Sequence, residues 1–158
     1  MKTLVAGIGN IFNRDDGFGS EVVSRLVDMP EDVRVEDYGI RGLHLALDLL
    51  DGVDLLVLVD AIGGPDAPGT LSVLEPDPHA GGEPLDAHRM DPQAVLGMVA
   101  GLGGTIGRVV VVGCQPADLD DGMGLSVLVA HAVPRAVEIV QELIAERNSP
   151  CFVASSYS

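Results

Sequence analysis

Two adjacent aspartates in a glycine-rich turn are the residues near the start of the chain that are best suited to do chemistry. The apolar run Leu4–Ile8 predicts a buried strand, and Asp15 and Asp16 follow it within the turn Gly7–Gly19. Glycine-rich turns between a strand and a helix usually bind phosphate through backbone amides. Carboxylates here would repel a phosphate group, and they suit a divalent cation instead. The turn is therefore a candidate cation site.

Two other roles for this turn stay open. A nucleotide-binding regulator is one alternative, although Phe12 occupies the position where a dinucleotide fingerprint has its third glycine. Capping of the following helix is the other, because the helix macrodipole favours carboxylates at its N-terminus. We expect at least one of Asp15 and Asp16 to act as such a cap. Capping needs only one acid, so the second is free to bind a ligand or a partner.

A third aspartate, Asp60, ends the clearest buried strand of the chain, Asp54–Asp60. Burying a carboxylate is costly unless it finds hydrogen bonds or a cation. Two roles are equally compatible with its position: a functional carboxylate at a strand end, or a cap on the backbone amides of Ala61 and Ile62.

Position alone does not single out any of the four histidines as a ligand. His88 stands just before a predicted helix and is flanked by Asp86 and Asp91, whereas His44, His79 and His131 lie in helical patterns or in a Pro/Gly-rich loop. Two aspartates and one histidine would form a divalent-cation site with open positions for a substrate, as expected of a catalytic or sensing metal.

The two cysteines, Cys114 and Cys151, are expected to be reduced thiols. They are far apart in the sequence, and nothing in the sequence indicates secretion. Cys114 ends the last predicted strand, where a buried and inert thiol is the ordinary outcome. A cysteine nucleophile stays open as an alternative.

The elements that must position these residues alternate between strands and helices. Strands are predicted at Leu4–Ile8, Val33–Tyr38, Asp54–Asp60, Thr70–Leu74 and Val109–Gly113, and helices at Gly17–Val27, Leu43–Leu50, Asp91–Leu102 and Leu125–Arg147. Strands that are apolar on both faces and separated by helices predict a three-layer α/β/α sandwich with a mostly parallel sheet. Ligands bind such sheets at the carboxyl ends of the strands. If the first and third strands are neighbours, Asp16 and Asp60 meet at one edge.

The composition predicts one compact domain. The chain has 158 residues, of which 47% are apolar, and residues 1–148 are expected to form a single α/β domain followed by a flexible tail at 149–158.

The formal net charge of −15 argues against a nucleic-acid partner, because affinity for nucleic acid comes mainly from cations that neutralise phosphates. No segment is apolar for the length of a membrane span. We therefore expect a cytoplasmic protein with no membrane partner, and a monomer.

Several motifs, in this order along the chain, resemble those of the nickel–iron hydrogenase maturation proteases. They are Gly7-Ile8-Gly9-Asn10 with Asp15-Asp16-Gly17-Phe18-Gly19, Asp37–Gly42, Val59–Ile62 with Pro68–Thr70, His88, Val112–Pro116, and the acidic loop through Gly124–Ser126. The resemblance covers nearly the whole chain except the tail. It implies a phosphorylase/hydrolase-like fold with a five-stranded mixed sheet, in which one strand, here Thr70–Leu74, is antiparallel.

The resemblance also implies an activity and a site. The family removes a short C-terminal extension from the hydrogenase large subunit after nickel insertion, so the implied partner is the large-subunit precursor and the implied metal is nickel carried by that substrate. Asp16, Asp60 and His88 would contact the nickel, and Asp16 and Asp60 would be catalytic. The ion would polarise the scissile carbonyl, or an aspartate would activate water. Asp15 and Asp37 would support these ligands through hydrogen bonds.

The chain also departs from the family pattern. Asp16 stands where many members carry glutamate, which shortens the reach of the carboxylate by one methylene group, and the residues before His88 lack the Ser-Pro pair often found there. A non-catalytic alternative stays open, because the sequence shows no conventional nucleophile: a binding module or chaperone that senses a metal-loaded hydrogenase subunit.

Overall fold

The computed structural model describes residues 1–78 and 91–149, which contain one five-stranded sheet. The strands are β1 (Thr3–Ile8), β2 (Val33–Gly39), β3 (Val53–Ala61), β4 (Leu71–Leu74) and β5 (Ile106–Cys114). Their spatial order is β2-β1-β3-β5-β4. Strands β1, β2, β3 and β5 run parallel, and β4 pairs antiparallel with β5. The mixed sheet with one antiparallel strand therefore confirms the predicted fold class.

Four α-helices and one short 3-10 helix accompany this sheet in the described ranges. They are α1 (Phe18–Ser24), α2 (Gly42–Leu49), α3 (Pro92–Gly101), α4 (Val127–Glu146) and the 3-10 helix Arg14–Gly17. Buried side chains of α1 and α4 pack on one face of the sheet, and those of α2 and α3 pack on the other. The arrangement is the predicted three-layer sandwich.

Strand β3 shows why the central strands are apolar along their whole length. Val57 and Val59 pack against the α1 and α4 layer, whereas Leu56 and Leu58 pack against the α2 and α3 layer. Successive side chains of a strand point to opposite faces, so a strand covered on both faces needs an apolar residue at every position. Asp60 continues the even-numbered series, which places it on the side of α2 and α3.

Three predicted boundaries differ from the observed ones by more than one residue. Helix α1 ends at Ser24 instead of Val27. Val27 is 66% exposed, so its side chain does not gain the burial that would stabilise a further helical turn. Strand β5 begins at Ile106 instead of Val109, since Ile106 pairs with Val53 and the strand is longer than predicted at this end. The predicted start of α4 at Leu125 lies before its observed start at Val127.

The predicted division into residues 1–148 and a tail at 149–158 stays a prediction. The amide of Ser149 still donates to the carbonyl of Glu146 at 2.9 Å, so the last described residue continues from the end of α4. Residues 150–158 lie outside the described residues. Among the helices in residues 1–78 and 91–149, none is long and apolar enough to cross a membrane.

Candidate functional site

The turn after β1 and the end of β3 lie at the same edge of the sheet. Gly7 of β1 is in register with Val59 of β3, so the two strands are neighbours, as the predicted site requires. The first residues of α1 lie against the end of β3. A Cβ atom on Gly19 would lie 2.2 Å from the carbonyl oxygen of Val59, so only glycine allows this approach. The close packing brings the turn that carries Asp16 next to Asp60.

Asp16 lies in the 3-10 helix and accepts a hydrogen bond from a backbone amide of its own turn. Its Oδ2 accepts from the amide of Asn10 at 2.8 Å. The turn folds back on itself at Gly9, which has a φ of +125° and lies so close that a Cβ atom would be 2.0 Å from the carbonyl oxygen of Asp16. Burial raises the pKa of the Asp16 carboxyl, and the Asn10 hydrogen bond offsets part of that rise. The side chain is half-buried.

Asp60 is more deeply buried, with only 3% of its surface exposed. Within the described part of the chain, its buried Oδ1 has no hydrogen-bond partner. Burial raises the pKa of Asp60 to about 9, the negative charges of Asp16 and Asp91 add to the rise, and the backbone amide of Ala61 opposes it. The amide of Ile62 donates to the carbonyl of Cys114, so it does not take part in the predicted cap.

Asp15, the neighbour of Asp16, is buried but fully hydrogen-bonded. Its Oδ2 accepts from the amides of Ala117 and Asp118 at 2.8 and 2.9 Å and from the hydroxyl of Ser126 at 2.8 Å, and its Oδ1 accepts from the Ser126 amide at 2.7 Å. Burial pushes the pKa of Asp15 upward, but these hydrogen bonds outweigh burial and lower it overall. Asp15 thereby fixes the loop between β5 and α4 to the turn after β1.

The prediction that Asp15 or Asp16 caps the following helix was wrong. The residue at the N-cap position of α1 is Gly17, and no side chain caps that helix. The carboxylate of Asp15 binds instead the amide of Ser126, the residue that precedes α4. This pairing joins positions more than one hundred residues apart, so no local pattern could indicate it.

Asp37 lies at the carboxyl end of β2, one strand away from the turn. Its Oδ1 accepts from the hydroxyl of Ser20 at 2.8 Å and from the amide of Gly39 at 3.0 Å. Because Ser20 belongs to α1, the contact joins the end of β2 to the helix that follows Asp16. That Asp37 and Asp15 orient the metal-contacting residues stays a prediction.

His88, the third predicted ligand, lies outside the described residues. Within residues 1–78 and 91–149, no three His, Cys, Asp or Glu side chains are arranged so as to hold a metal ion. The described part of the site therefore supplies two carboxylates, those of Asp16 and Asp60, and the predicted trio stays a prediction.

Sequence reasoning missed one residue that contributes to the electrostatics of the site. Asp91 is the N-cap of α3, where its Oδ1 accepts from the amide of Ala94 at 2.7 Å, and its charge also raises the pKa of Asp60. An aspartate directly before Pro92 is a helix-start signal in the sequence. That signal placed the helix at this position but gave no indication that its first turn lies beside Asp60.

Cys114 shows the buried, inert environment expected of a structural thiol. It is fully buried, and burial together with the charge of Asp15 raises its pKa to about 11. A thiol is a nucleophile only as the thiolate. The environment therefore argues against the alternative in which Cys114 attacks a substrate.

The fold and the site together define a class of protein: an α/β sandwich with an acidic pair at the carboxyl edge of its sheet. Residues 20–143 match the family model described as hydrogenase maturation protease. The chain belongs to the hydrogenase maturation protease family, and it is a peptidase. The family predicted from the ordered motifs is thus confirmed.

Related sequences and structures agree with this assignment. The hydrogenase expression/formation protein HupD of Rhodobacter capsulatus is 34% identical over 150 residues, which cover 90% of this chain and 71% of HupD. The hydrogenase maturating endopeptidase HybD from E. coli has a similar structure, with a TM-score of 0.76 and 30% identity over 95% of this chain and 94% of HybD. The nickel–iron hydrogenase maturation protease HycI from Thermococcus kodakarensis KOD1 gives a TM-score of 0.67 at 26% identity, over 91% and 92% of the two chains.

Proposed function

We propose that this chain is the endopeptidase that removes the C-terminal extension of a nickel–iron hydrogenase large-subunit precursor and recognises nickel already bound by that substrate. Membership of the maturation protease family supports a proteolytic role in hydrogenase assembly. The observation that carries the proposal is the buried carboxylate of Asp60, whose Oδ1 lacks a partner within the described residues, next to the carboxylate of Asp16.

A divalent cation would remove the unfavourable electrostatics of this pair. A buried oxygen without a hydrogen bond costs free energy, and two neighbouring carboxylates disfavour each other's ionisation. A cation placed between them satisfies the free oxygen and reverses the repulsion. Carboxylates and imidazole are both competent ligands for nickel. The donor set Asp16, Asp60 and His88 therefore fits the proposed metal.

Incomplete coordination by the protein favours nickel that arrives with the substrate. The two described carboxylates would leave most positions around the ion open, and ligands of the precursor would fill them. His88 would add a third contact from the chain. It precedes Asp91 by three residues, and three residues span at most about 11 Å. Since Asp91 acts on the pKa of Asp60, the covalent chain allows His88 to reach this region.

In this proposal, the bound ion fixes the scissile bond against the two aspartates, so that binding replaces an otherwise rare encounter. The ion would polarise the scissile carbonyl, or one aspartate would take a proton from the attacking water. Asp16 is better suited to take the proton from water, because solvent reaches its half-buried side chain, whereas only 3% of Asp60 is exposed. The cytoplasmic location and the monomeric state stay predictions.

Mass spectrometry of the precursor before and after incubation tests the proposal. Nickel-loaded precursor should lose its C-terminal extension with the wild-type chain and with the control Asp51→Asn, an exposed aspartate outside the candidate site. Nickel-free precursor should remain intact. Asp16→Asn and Asp60→Asn should leave the precursor uncut while circular dichroism shows a retained fold. Processing at the wild-type rate by either variant would overturn the site assignment.

The same experiment separates the non-catalytic alternative. A chaperone or metal-sensing module would form a complex with nickel-loaded precursor but leave its mass unchanged. Size-exclusion chromatography of the incubated mixture, followed by intact-mass measurement, detects both outcomes in one sample. A complex that contains only uncut precursor would favour the binding module.

A further inference from the structure

Five apolar side chains, together the apolar rim, are exposed at the carboxyl edge of the sheet. Ile11 and Phe12 belong to the turn after β1, Ile40 to the turn after β2, and Leu119 and Met123 to the loop after β5. Phe12, Ile40 and Met123 are 61%, 63% and 64% exposed. Single exposed apolar residues are ordinary, whereas a contiguous patch of them marks an interaction site. The rim is such a site if its members adjoin one another.

Two grooves join the members of the apolar rim from one connection to the next. Ile11, Phe12 and Ile40 line a groove of about 320 Å³ between the turns after β1 and β2. Ile11 also lines a second groove, of about 490 Å³, together with Met123 from the loop after β5. The three connections therefore present one continuous apolar surface.

Hydrogen bonds hold this surface in place. The amide of Gly122 donates to the carbonyl of Phe12 at 2.8 Å, and the side-chain amide of Asn13 donates to the carbonyl of Leu119 at 3.4 Å. Both bonds join the loop after β5 to the turn after β1, and the hydrogen bonds of Asp15 join the same two segments. A surface that is already ordered loses little conformational entropy on binding, so more of its apolar contact contributes to affinity.

The apolar rim borders the carboxylate that is proposed to act on the substrate. Ile11 directly follows Asn10, whose amide donates to Asp16. A Cβ atom on Gly17, the residue after Asp16, would lie 3.3 Å from the Cα atom of Ile11. A precursor whose nickel reaches Asp16 must therefore lie over Ile11 and Phe12. This continuity with the site identifies the folded body of the precursor as the partner that covers the rim.

Arg41 adds a charged contact beside the apolar rim. It is exposed and lines the same groove as Phe12. Its guanidinium donates to the carbonyls of Asp37 at 2.7 Å and Tyr38 at 3.2 Å and approaches the ring of His44, and none of these partners is a carboxylate. Arginine and large apolar side chains are enriched in protein interfaces. The fixed guanidinium is complementary to a carboxylate on the partner.

We propose that the apolar rim docks the folded body of the nickel-loaded precursor, through an apolar patch on that partner and a carboxylate opposite Arg41. The inference rests on the proposed function, because it names the surface that holds the substrate of the same reaction. It adds affinity that depends neither on nickel nor on the residues at the scissile bond.

Binding of nickel-loaded precursor to a chain that does not cut it isolates the contribution of the rim. Asp60→Asn supplies this background, and Phe12→Ser, Ile40→Ser and Met123→Ser are added to it together. This triple serine variant should raise the Kd for the precursor at least about 100-fold, because buried aromatic and apolar anchors carry most of the binding energy of an interface. Val27→Ser is the matched control: Val27 is 66% exposed but lies in the connection that leads to β2, outside the rim, and should leave the Kd of the background.

Arg41→Gln tests the charged contact in the same background. It should raise the Kd about tenfold, because it removes a charge-assisted hydrogen bond to the partner. Arg34→Gln removes the same charge from the other end of β2, where Arg34 is paired with Glu36 and Asp48, and should leave the Kd of the background. Equal Kd values for the two glutamine variants would overturn the contact assigned to Arg41.

Amide hydrogen exchange of the complex locates the contact, and sedimentation of the isolated chain checks who makes it. Exchange should slow at residues 11–12, 40–41 and 119–123 when the precursor binds. Slowing confined to other regions would overturn the inference. The isolated chain should sediment as a monomer. A dimer that the triple serine variant dissociates would assign the rim to a second copy of the chain and would also overturn the inference.

Processing kinetics distinguish the failure of this inference from the failure of the proposed function. With Asp60 restored, the triple serine variant should raise KM for the precursor, because the rim contacts the precursor alike before and during the reaction. If wild type processes the precursor and the triple variant has the same KM, the docking surface fails and the peptidase proposal stands. If the precursor binds through the rim but no form of the protein cleaves it, the proposed function fails and the docking surface stands. Thermal melting confirms that each variant is folded.

Discussion

Asp15 and Asp60 are both buried aspartates at the carboxyl edge of the sheet, yet their surroundings are opposite. Asp15 accepts four hydrogen bonds, from Ala117, Asp118 and Ser126, and its pKa is lowered. Asp60 has an Oδ1 without a partner in the described ranges, and its pKa is raised to about 9. The fold therefore stabilises the charge of one aspartate and opposes the charge of the other.

This difference separates a structural role from a functional one. A buried carboxylate that accepts four hydrogen bonds, as Asp15 does, stabilises the native state and has little capacity left for a ligand. A buried carboxylate with a free oxygen is a local cost to the fold, and such costs concentrate where a protein binds or reacts. The comparison predicts that replacing Asp60 raises stability and abolishes activity, whereas replacing Asp15 lowers stability.

The largest expected effect is the loss of activity in Asp60→Asn. Without this carboxylate, the proposed nickel contact is lost, and processing of the precursor should fall by about 10²–10⁴-fold. The variant should nevertheless melt at a higher temperature than wild type near neutral pH, because wild type must take up a proton on Asp60 in order to fold at that pH, a cost that the amide side chain does not have. Processing kinetics and thermal melting of the same preparation measure both quantities. A variant that is destabilised and inactive would show that Asp60 has a structural role like that of Asp15.

The next effect is a loss of stability in Asp15→Asn. An amide side chain keeps one acceptor oxygen but turns an NH₂ group toward amides that are themselves donors. We expect the free energy of unfolding to fall by about 3 kcal/mol, from charge-assisted hydrogen bonds that are lost and donors that are left buried. Urea unfolding gives this value. The adjacent Asp16→Asn is the control, since within the described residues Asp16 accepts one backbone hydrogen bond, from Asn10, and should lose much less. Equal losses in the two variants would contradict the comparison.

Much of this arrangement could be predicted from the sequence, because it follows from short-range patterns. The unbroken apolar run before Asp60 indicates a strand covered on both faces, and the parallel-sheet rule then places Asp60 at the same edge as the turn that carries Asp16. The antiparallel position of β4 came from the family resemblance and is confirmed.

The contrast between Asp15 and Asp60 could not be predicted in this way. The partners of Asp15 lie in the loop before α4, and the pairing exists only once β1 and β5 are in one sheet. The influence of Asp91 on Asp60 likewise depends on where α3 packs. Sequence patterns identify which residues can carry charge, whereas the tertiary fold decides which charges are satisfied.

A smaller effect is expected from the predicted third ligand. His88→Ala should weaken recognition of nickel-loaded precursor by about 10- to 100-fold, the range found when a residue that supports a metal site is removed. His131→Ala on the exposed side of α4 is the matched control and should process the precursor like wild type. The measurement is KM for nickel-loaded precursor. If both variants behave alike, recognition of the metal rests on the aspartates alone.

Taken per pH unit, the smallest expected effect is a pH dependence of stability that comes from Asp60. The unfolded carboxyl titrates near its ordinary pKa of 3.8, and the folded carboxyl titrates near 9. Between these values the folded state retains a proton that the unfolded state has lost, so the free energy of unfolding falls as pH rises, by at most about 1.4 kcal/mol per pH unit. Below 3.8 both states are protonated, and the stabilisation is then fully present.

Urea unfolding at pH 6, 7 and 8 in chelator-treated protein isolates this contribution, because a bound cation would favour the ionised carboxylate. Subtracting the Asp60→Asn curve from the wild-type curve removes the contributions of the other titrating groups, and Asp51→Asn is the control for the loss of an exposed carboxyl. The difference curve should slope downward with pH for wild type against Asp60→Asn and stay flat against Asp51→Asn. A flat curve in both cases would mean that Asp60 is ionised in the folded chain and has a partner that stabilises its charge, which would place it with Asp15.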